Sequence, residues 1–352
     1  MDYNLVWDAY GLDEIEKGIA ALFPGENIDL PQILNQIISG DFTVAVTSLW
    51  SQLQENVMGQ LAGLKGLFLW LLVLGILSSV VSHFVEMFDR SHVADLSFYF
   101  MYLLFISVLM ESFHQMYGTA GQALEHIRLF VKLLAPAYVL ALGVCGGTIT
   151  AAVSYQMMLL AVYGVEYVLV GVVLPLITGY SLMVVLNGVW VEEKLSLLIE
   201  LISKVIGWIL KIALWVVTGM SVFQSLIAPL LDYAKMSAMH NLVNAIPGIG
   251  NAAGGAVELV LGSAVLLRNS IGIVLLLLLL FLCMVPLLKI GLITIVLKCA
   301  AAFMGVVSDK RLTTCTDKVG EAGILLLRTT ATAMLLFLIV IAVTTALSGR
   351  VV

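Results

Sequence analysis

The residues with most chemistry to offer are the few charges set among long apolar runs. Glu166 stands inside a run that extends from 156 to 190. A carboxylate at membrane depth is costly, so it is neutral, turned to a polar interior, paired, or placed to carry a proton. Lys298 lies in another such run and is a candidate partner for it. Lys289 has an apolar stem long enough to snorkel towards an interface. Glu258 and Arg268 are ten residues apart. On a continuous helix they point about 80° apart, close enough to line one side of a cavity.

Other constellations carry less. Gly248-Ile-Gly250-Asn-Ala-Ala-Gly254 has glycines suited to a phosphate loop, but the spacing is Gly-x-Gly-x-x-x-Gly and Pro247 precedes it. Small residues that let backbones approach closely explain it better. Gly59/Gly63, Gly143/Gly147 and Gly250/Gly254 each match Gly-x-x-x-Gly, which favours close helix packing. Glu111-x-x-His114 puts two metal-binding side chains on one helix face, yet a di-metal site needs a second such pair and further carboxylates. His83, His92, His114, His126 and His240 all fall near expected span ends or in loops. Cys145, Cys283, Cys299 and Cys315 are widely spaced, which argues against a disulfide framework or a zinc site. There is no phosphate-binding Gly-x-x-x-x-Gly-Lys loop, no His-Glu-x-x-His and no Gly-x-Ser-x-Gly. No catalytic residue, metal or cofactor is expected, and the chain is not expected to be an enzyme.

The elements that carry these residues follow from composition. Of 352 residues, 61% are hydrophobic and 11% charged, with a mean hydropathy of +1.07. Soluble domains carry about 25% charge. The figures exclude a secreted globular enzyme, a disordered chain and a nucleic-acid binder, which needs a basic face. They leave a polytopic membrane protein, with the lipid bilayer as its first partner.

The net charge of −6 is unevenly distributed. Residues 1–60 hold nine acidic residues and one basic residue, a net −8, while 61–352 hold sixteen basic and fourteen acidic residues, a net +2. Lys and Arg are retained on the cytoplasmic side. A segment with Lys17 alone offers no resistance to translocation, so 1–60 is expected outside the cytoplasm as a distinct segment ahead of a bundle over 61–352. Within it, Leu12, Ile15, Ile19 and Leu22 repeat at helical spacing before Pro24-Gly25, and Ile33, Leu34, Ile37 and Ile38 repeat before Ser39-Gly40. A third stripe joins Val46, Leu49, Trp50, Leu53 and Val57. These short amphipathic helices cover the membrane surface or the protein's own helices. The start lacks a basic region and an apolar core, so it does not read as a signal peptide. Insertion through the first membrane helix, or removal of a leader, accounts for that.

The fold class is all-α: a polytopic helical membrane protein. A span needs roughly 20 apolar residues. Segments near 67–85, 96–113, 129–153, 205–228 and 324–347 qualify. The stretch 156–190 contains Pro175 and Gly179 and reads as a kinked helix or a helical hairpin. The run 271–307 divides at Pro286 and Lys289. That gives about eight spans, with Pro136, Pro175 and Pro286 as kink positions. The loop 308–323, with Lys310, Arg311 and Lys318, then falls inside. Residues 229–270 are too polar and too broken by Pro229, Pro247 and glycines to form a regular span. They are a surface loop or a re-entrant element lining a cavity.

Several patches together resemble one family. They are Leu134-Ala-Pro136 followed by Gly146-Gly147 and Ala151-Ala152; Val173-Leu174-Pro175-Leu176-Ile177; and Ile246-Pro247-x-x-Gly250 followed by Glu258, Ser263, Leu266-Leu267-Arg268-Asn269 and Gly272. The chain is similar to stage III sporulation protein AE of endospore-forming Firmicutes. The family carries Asp and Lys in the last pattern, where Glu258 and Arg268 keep the charges, although Arg and Lys are different donors. Pro247, Gly250, Gly254, Glu258, Arg268, Asn269 and Gly272 are its candidate pore or structural residues.

The resemblance implies a polytopic component of the channel between mother cell and forespore, in the outer forespore membrane. It implies as partners the other stage III sporulation A proteins, including ring-forming subunits related to secretion systems and an ATPase. Self-association is also open. It further implies a role in keeping the engulfed forespore intact and its late transcription active. Two other readings stand beside it: a stand-alone permease for a small solute coupled through Glu166, and a passive scaffold whose N-terminal helices recruit ring proteins.

Overall fold

The computed structural model describes residues 42–86, 91–144, 160–189, 194–243, 280 and 284–348. All regular structure among them is helical, as expected. We number the helices α1 (Phe42–Glu86), α2 (Ser91–Val144), α3 (Leu160–Val189), α4 (Ser196–Val243), α5 (Met284–Val307) and α6 (Lys310–Ser348). Five stretches among the described residues are long and apolar enough to cross a membrane: Val57–Val81, Leu96–Leu129, Leu160–Val189, Met284–Val307 and Lys310–Ile339.

The elements are longer than the sequence pattern suggests. The stripe from Val46 to Val57 and the first expected span are one 45-residue helix, α1. The polar stretch between the expected spans 96–113 and 129–153 is helical too, within the 54 residues of α2, which also holds Pro136. The expected span 205–228 lies on α4. The run 156–190 is a single helix over its described part, not a hairpin. It contains a π-helical turn, Leu169–Val173, in which the Leu174 N–H donates to the Leu169 carbonyl. Pro175 follows that wide turn. A proline ring collides with the carbonyl four residues back in a regular α-helix, and the extra residue of the π turn relieves the conflict. The described part of the run 271–307 is one helix from Met284 onward, and the residues just before it lie outside those described. Pro286 and Lys289 both lie on α5, Pro286 as its third described residue and Lys289 on an exposed face.

The largest change concerns 308–323, which is not a loop. Only Ser308 and Asp309 separate α5 from α6. The Arg311 N–H donates to Asp309 Oδ1 at 2.8 Å, so Asp309 caps the helix and satisfies one of its orphan donors. Leu312, Cys315, Val319 and Ala322 then fall on one buried face. That apolar face makes the charged segment a helix.

Contacts fix the directions. Tyr102 of α2 meets Val185 of α3 and Cys315 of α6, and Met116 of α2 meets Thr294 of α5 and Gly323 of α6. Phe68 and Gly75 of α1 meet Phe303 and Met304 of α5. Val162 of α3, Ala213 and Val217 of α4 and Leu336 of α6 form a second small core. Hence α1, α3 and α5 run one way and α2, α4 and α6 the other. Glu86/Ser91, Val189/Ser196 and Val307/Lys310 meet at one end of the bundle, which we call the turn end. α6 is central, packing on α2, α3 and α4, and 61% of its span window is buried against 17% for α1.

Candidate functional site

The ion pairs among the described residues named below lie at the turn end. On α6, Glu321 stands four residues after Asp317 and three after Lys318, both spacings of neighbours on a helix surface. Antiparallel α5 brings Lys298 to them. Its Nζ donates to Asp317 Oδ1 at 2.7 Å and lies 3.9 Å from Glu321 Oε1. Gly320 makes this possible, because a Cβ there would press on the Lys298 stem at 3.2 Å. From α3, the Tyr180 hydroxyl donates to Glu321 Oε2 at 2.8 Å, and Lys318 donates to the same oxygen at 3.0 Å. Glu321 therefore ties α3, α5 and α6 together. Lys298 and its acids are all about one-third exposed or more, so the network gains little stability from each pair and more from fixed geometry.

A layer of aromatic contacts lies beside it. The Tyr102 hydroxyl donates to the Val185 carbonyl at 2.7 Å and reaches Cys315 Sγ at 3.6 Å. Phe98 stacks on Tyr102 with ring centroids 5.6 Å apart. The Arg311 guanidinium lies over Phe98 at 3.5 Å, where a cation–π contact adds to its pairing with Asp309. Gly188 faces the Tyr102 hydroxyl so closely that any Cβ would collide with it.

Above this layer a cleft of about 550 Å³ opens between α3, α4 and α6. Asn187 and Tyr180 line it from α3, Glu200 and Ser203 from α4, and Lys310, Arg311 and Lys318 from α6. The Asn187 side chain accepts the Leu195 N–H at 2.9 Å and closes the α3–α4 turn. A second groove of about 570 Å³ lies between α1, α2 and α5, with Gln60, Gly63, Glu111, Gln115 and Lys289 on its walls. Gln115 donates to Glu111 at 3.0 Å there. His114 is exposed within α2, not at a span end, and no group of three metal-binding side chains occurs among the described residues.

Two expected partners do not meet. Glu166 is buried, at 5% exposure, in the half of α3 that packs near Ala213, Val217 and Leu336. Lys298 belongs to the turn-end half and pairs with Asp317. Pro247, Gly250, Gly254, Glu258, Arg268, Asn269 and Gly272 lie outside the described residues. The Lys298–Asp317–Glu321 network escaped the sequence reading because 308–323 read as a loop. The signal was present in Asp309 as a cap and in the spacing of Leu312, Cys315, Val319 and Ala322.

Comparison with known proteins adds the family. A model of the family described as stage III sporulation protein AE matches residues 28–348. The chain is also similar to the stage III sporulation protein AE of Bacillus subtilis (strain 168), with 23% identity over 311 residues, 86% of this chain and 76% of that protein. No solved structure matches. The family match takes in α1 to α6 and the 246–272 pattern alike, and the chain belongs to the stage III sporulation protein AE family.

Proposed function

We propose that the chain is a membrane-embedded structural or conduit subunit of a secretion-like channel complex linking mother cell and forespore. One observation carries this reading. Lys211 and Arg328 are exposed on α4 and α6 and enter no ion pair among the described residues. Arg328 stands near the middle of the Lys310–Ile339 span. A cation facing hydrocarbon at that depth costs roughly 2.5–3.5 kcal/mol on insertion scales, and such residues face protein or water in finished assemblies. The described residues leave them uncovered, which favours a subunit over a self-sufficient monomer.

The antiparallel order also suits the expected topology. α1 begins and α6 ends at the same end of the bundle, opposite the turn end with Lys310 and Arg311. With the acidic N-terminal segment outside, the turn end is cytoplasmic. The outer forespore membrane is the location proposed.

Pull-down from sporulating cells in mild detergent tests the proposal. Ring-forming subunits and the ATPase are expected to co-purify. Recovery of the chain alone would overturn it. Burial of Glu166 keeps the permease as a second reading, which predicts solute transport by the purified protein that is lost in Glu166→Gln.

A further inference from the structure

The cleft between α3, α4 and α6 has the composition of an anion site. We propose that it binds a phosphate group, supplied by the headgroup of an anionic phospholipid. Its volume of about 550 Å³ lies within the roughly 300–1,000 Å³ of small-ligand sites.

The cations on its walls are Lys310, Arg311 and Lys318. Lys310 is exposed and enters no ion pair among the described residues. Arg311 is aimed by two neighbours, Asp309 at 3.4 Å and the Phe98 ring at 3.5 Å, so little side-chain freedom is left to lose on binding. The carboxylates of the cleft are already engaged. Glu200 accepts from Lys204 at 2.7 Å, and that lysine holds its carboxyl below the usual carboxylate range. Glu321 accepts from Tyr180 and Lys318. Ser203 and Thr314 add hydroxyl donors to the wall. Charge-assisted bonds from Lys and Arg to phosphate oxygens are among the stronger protein hydrogen bonds.

The rim identifies the source. Leu197 and Leu201, on the next face around α4, are 80% and 57% exposed. A soluble phosphate has no use for such a rim. A phospholipid has, because its acyl chains cover apolar side chains while its phosphate reaches the cations at the end of the bundle. Basic pockets between membrane helices hold anionic headgroups in this way.

The experiment uses the full-length protein in a neutral maltoside detergent, with retained lipid counted by native mass spectrometry and thermal stability read in parallel. The probes are phosphatidylglycerol, phosphatidylcholine and inorganic phosphate. Phosphatidylglycerol is expected to bind and stabilise more strongly than phosphatidylcholine. Lys310→Glu is expected to weaken that binding about tenfold or more, because it removes a charged donor. Lys310→Arg retains it. Equal binding of the two lipids, or unchanged phosphatidylglycerol affinity in Lys310→Glu, would overturn the site. Stabilisation by inorganic phosphate alone, matching that by phosphatidylglycerol and lost in Lys310→Glu, would overturn the lipid assignment while upholding the phosphate chemistry. Lys310 is exposed at the first residue of α6, so its substitution leaves the core intact.

Discussion

A hydroxyl inside an apolar bundle is tolerated where it finds an acceptor, and Tyr102 finds the carbonyl of Val185 on the neighbouring helix. The ring is 1% exposed, so no water replaces the bond when it is cut. Tyr102→Phe keeps the ring, its stacking on Phe98 and its volume, and deletes one donor. We expect a loss of about 0.5–1.5 kcal/mol, read as a lower melting temperature of the purified protein, with the fold retained. Unchanged stability would mean that the hydroxyl is not a tie between α2 and α3. The sequence marks neither end of this bond. Tyr102 reads as one aromatic among the fourteen Phe, eleven Tyr and six Trp of the chain, and its acceptor is a backbone atom 83 residues away. Glu166 and Lys298 show the same limit. Each is conspicuous as a charge in an apolar run, but a pairing between them needed the order and direction of the helices. Those place Lys298 beside Asp317.

At the scale of the element, glycine separates packed from open helix faces. Gly323 of α6 lies where a Cβ would strike Thr294 Oγ1 and sit 2.8 Å from Met116 Sδ. Three helices meet there with no room for a methyl group. Gly179 of α3 has nothing within 4 Å of the same position. Gly323→Ala is therefore expected to destabilise by about 1–3 kcal/mol through overpacking. Gly179→Ala is expected to be neutral or to stabilise by up to about 1 kcal/mol, since alanine is the better helix former. Chemical denaturation of the two variants in one detergent gives the comparison, and equal effects would contradict the α2–α5–α6 junction. Helix type and the approximate positions of α1, α3 and α6 were legible from apolar runs alone. Helix ends were not. The run around 156–190 left a hairpin open because Pro175 breaks an ideal α-helix, and the π turn at Leu169–Val173 is a backbone solution with no residue signature. Residues 308–323 were misread because charge density outweighed a buried stripe that three packed neighbours make decisive.

At the scale of the whole molecule, the bundle is apolar outside as well as inside, and its exceptions carry the information. Arg328 is exposed between Leu327 and Thr329 on the most buried of the five span windows. Two demands on this residue oppose each other. Insertion of the isolated chain is hindered by it, by roughly 2.5–3.5 kcal/mol at a helix centre. Assembly with a partner that supplies a carboxylate, a polar face or water would use it. Arg328→Leu separates the two. If the outer face of α6 meets lipid in the finished state, the variant inserts at least as well as the parent and functions equally. If that face is an interface, the variant still inserts and accumulates at least as well, yet recovers less of its complex in the pull-down and lowers spore yield. We expect the second result. Membrane-fraction abundance must be measured beside both readouts, because a fall in abundance would trace the phenotype to folding. Undiminished abundance, complex recovery and spore yield together would place Arg328 against lipid and remove the main support for an interface on α6.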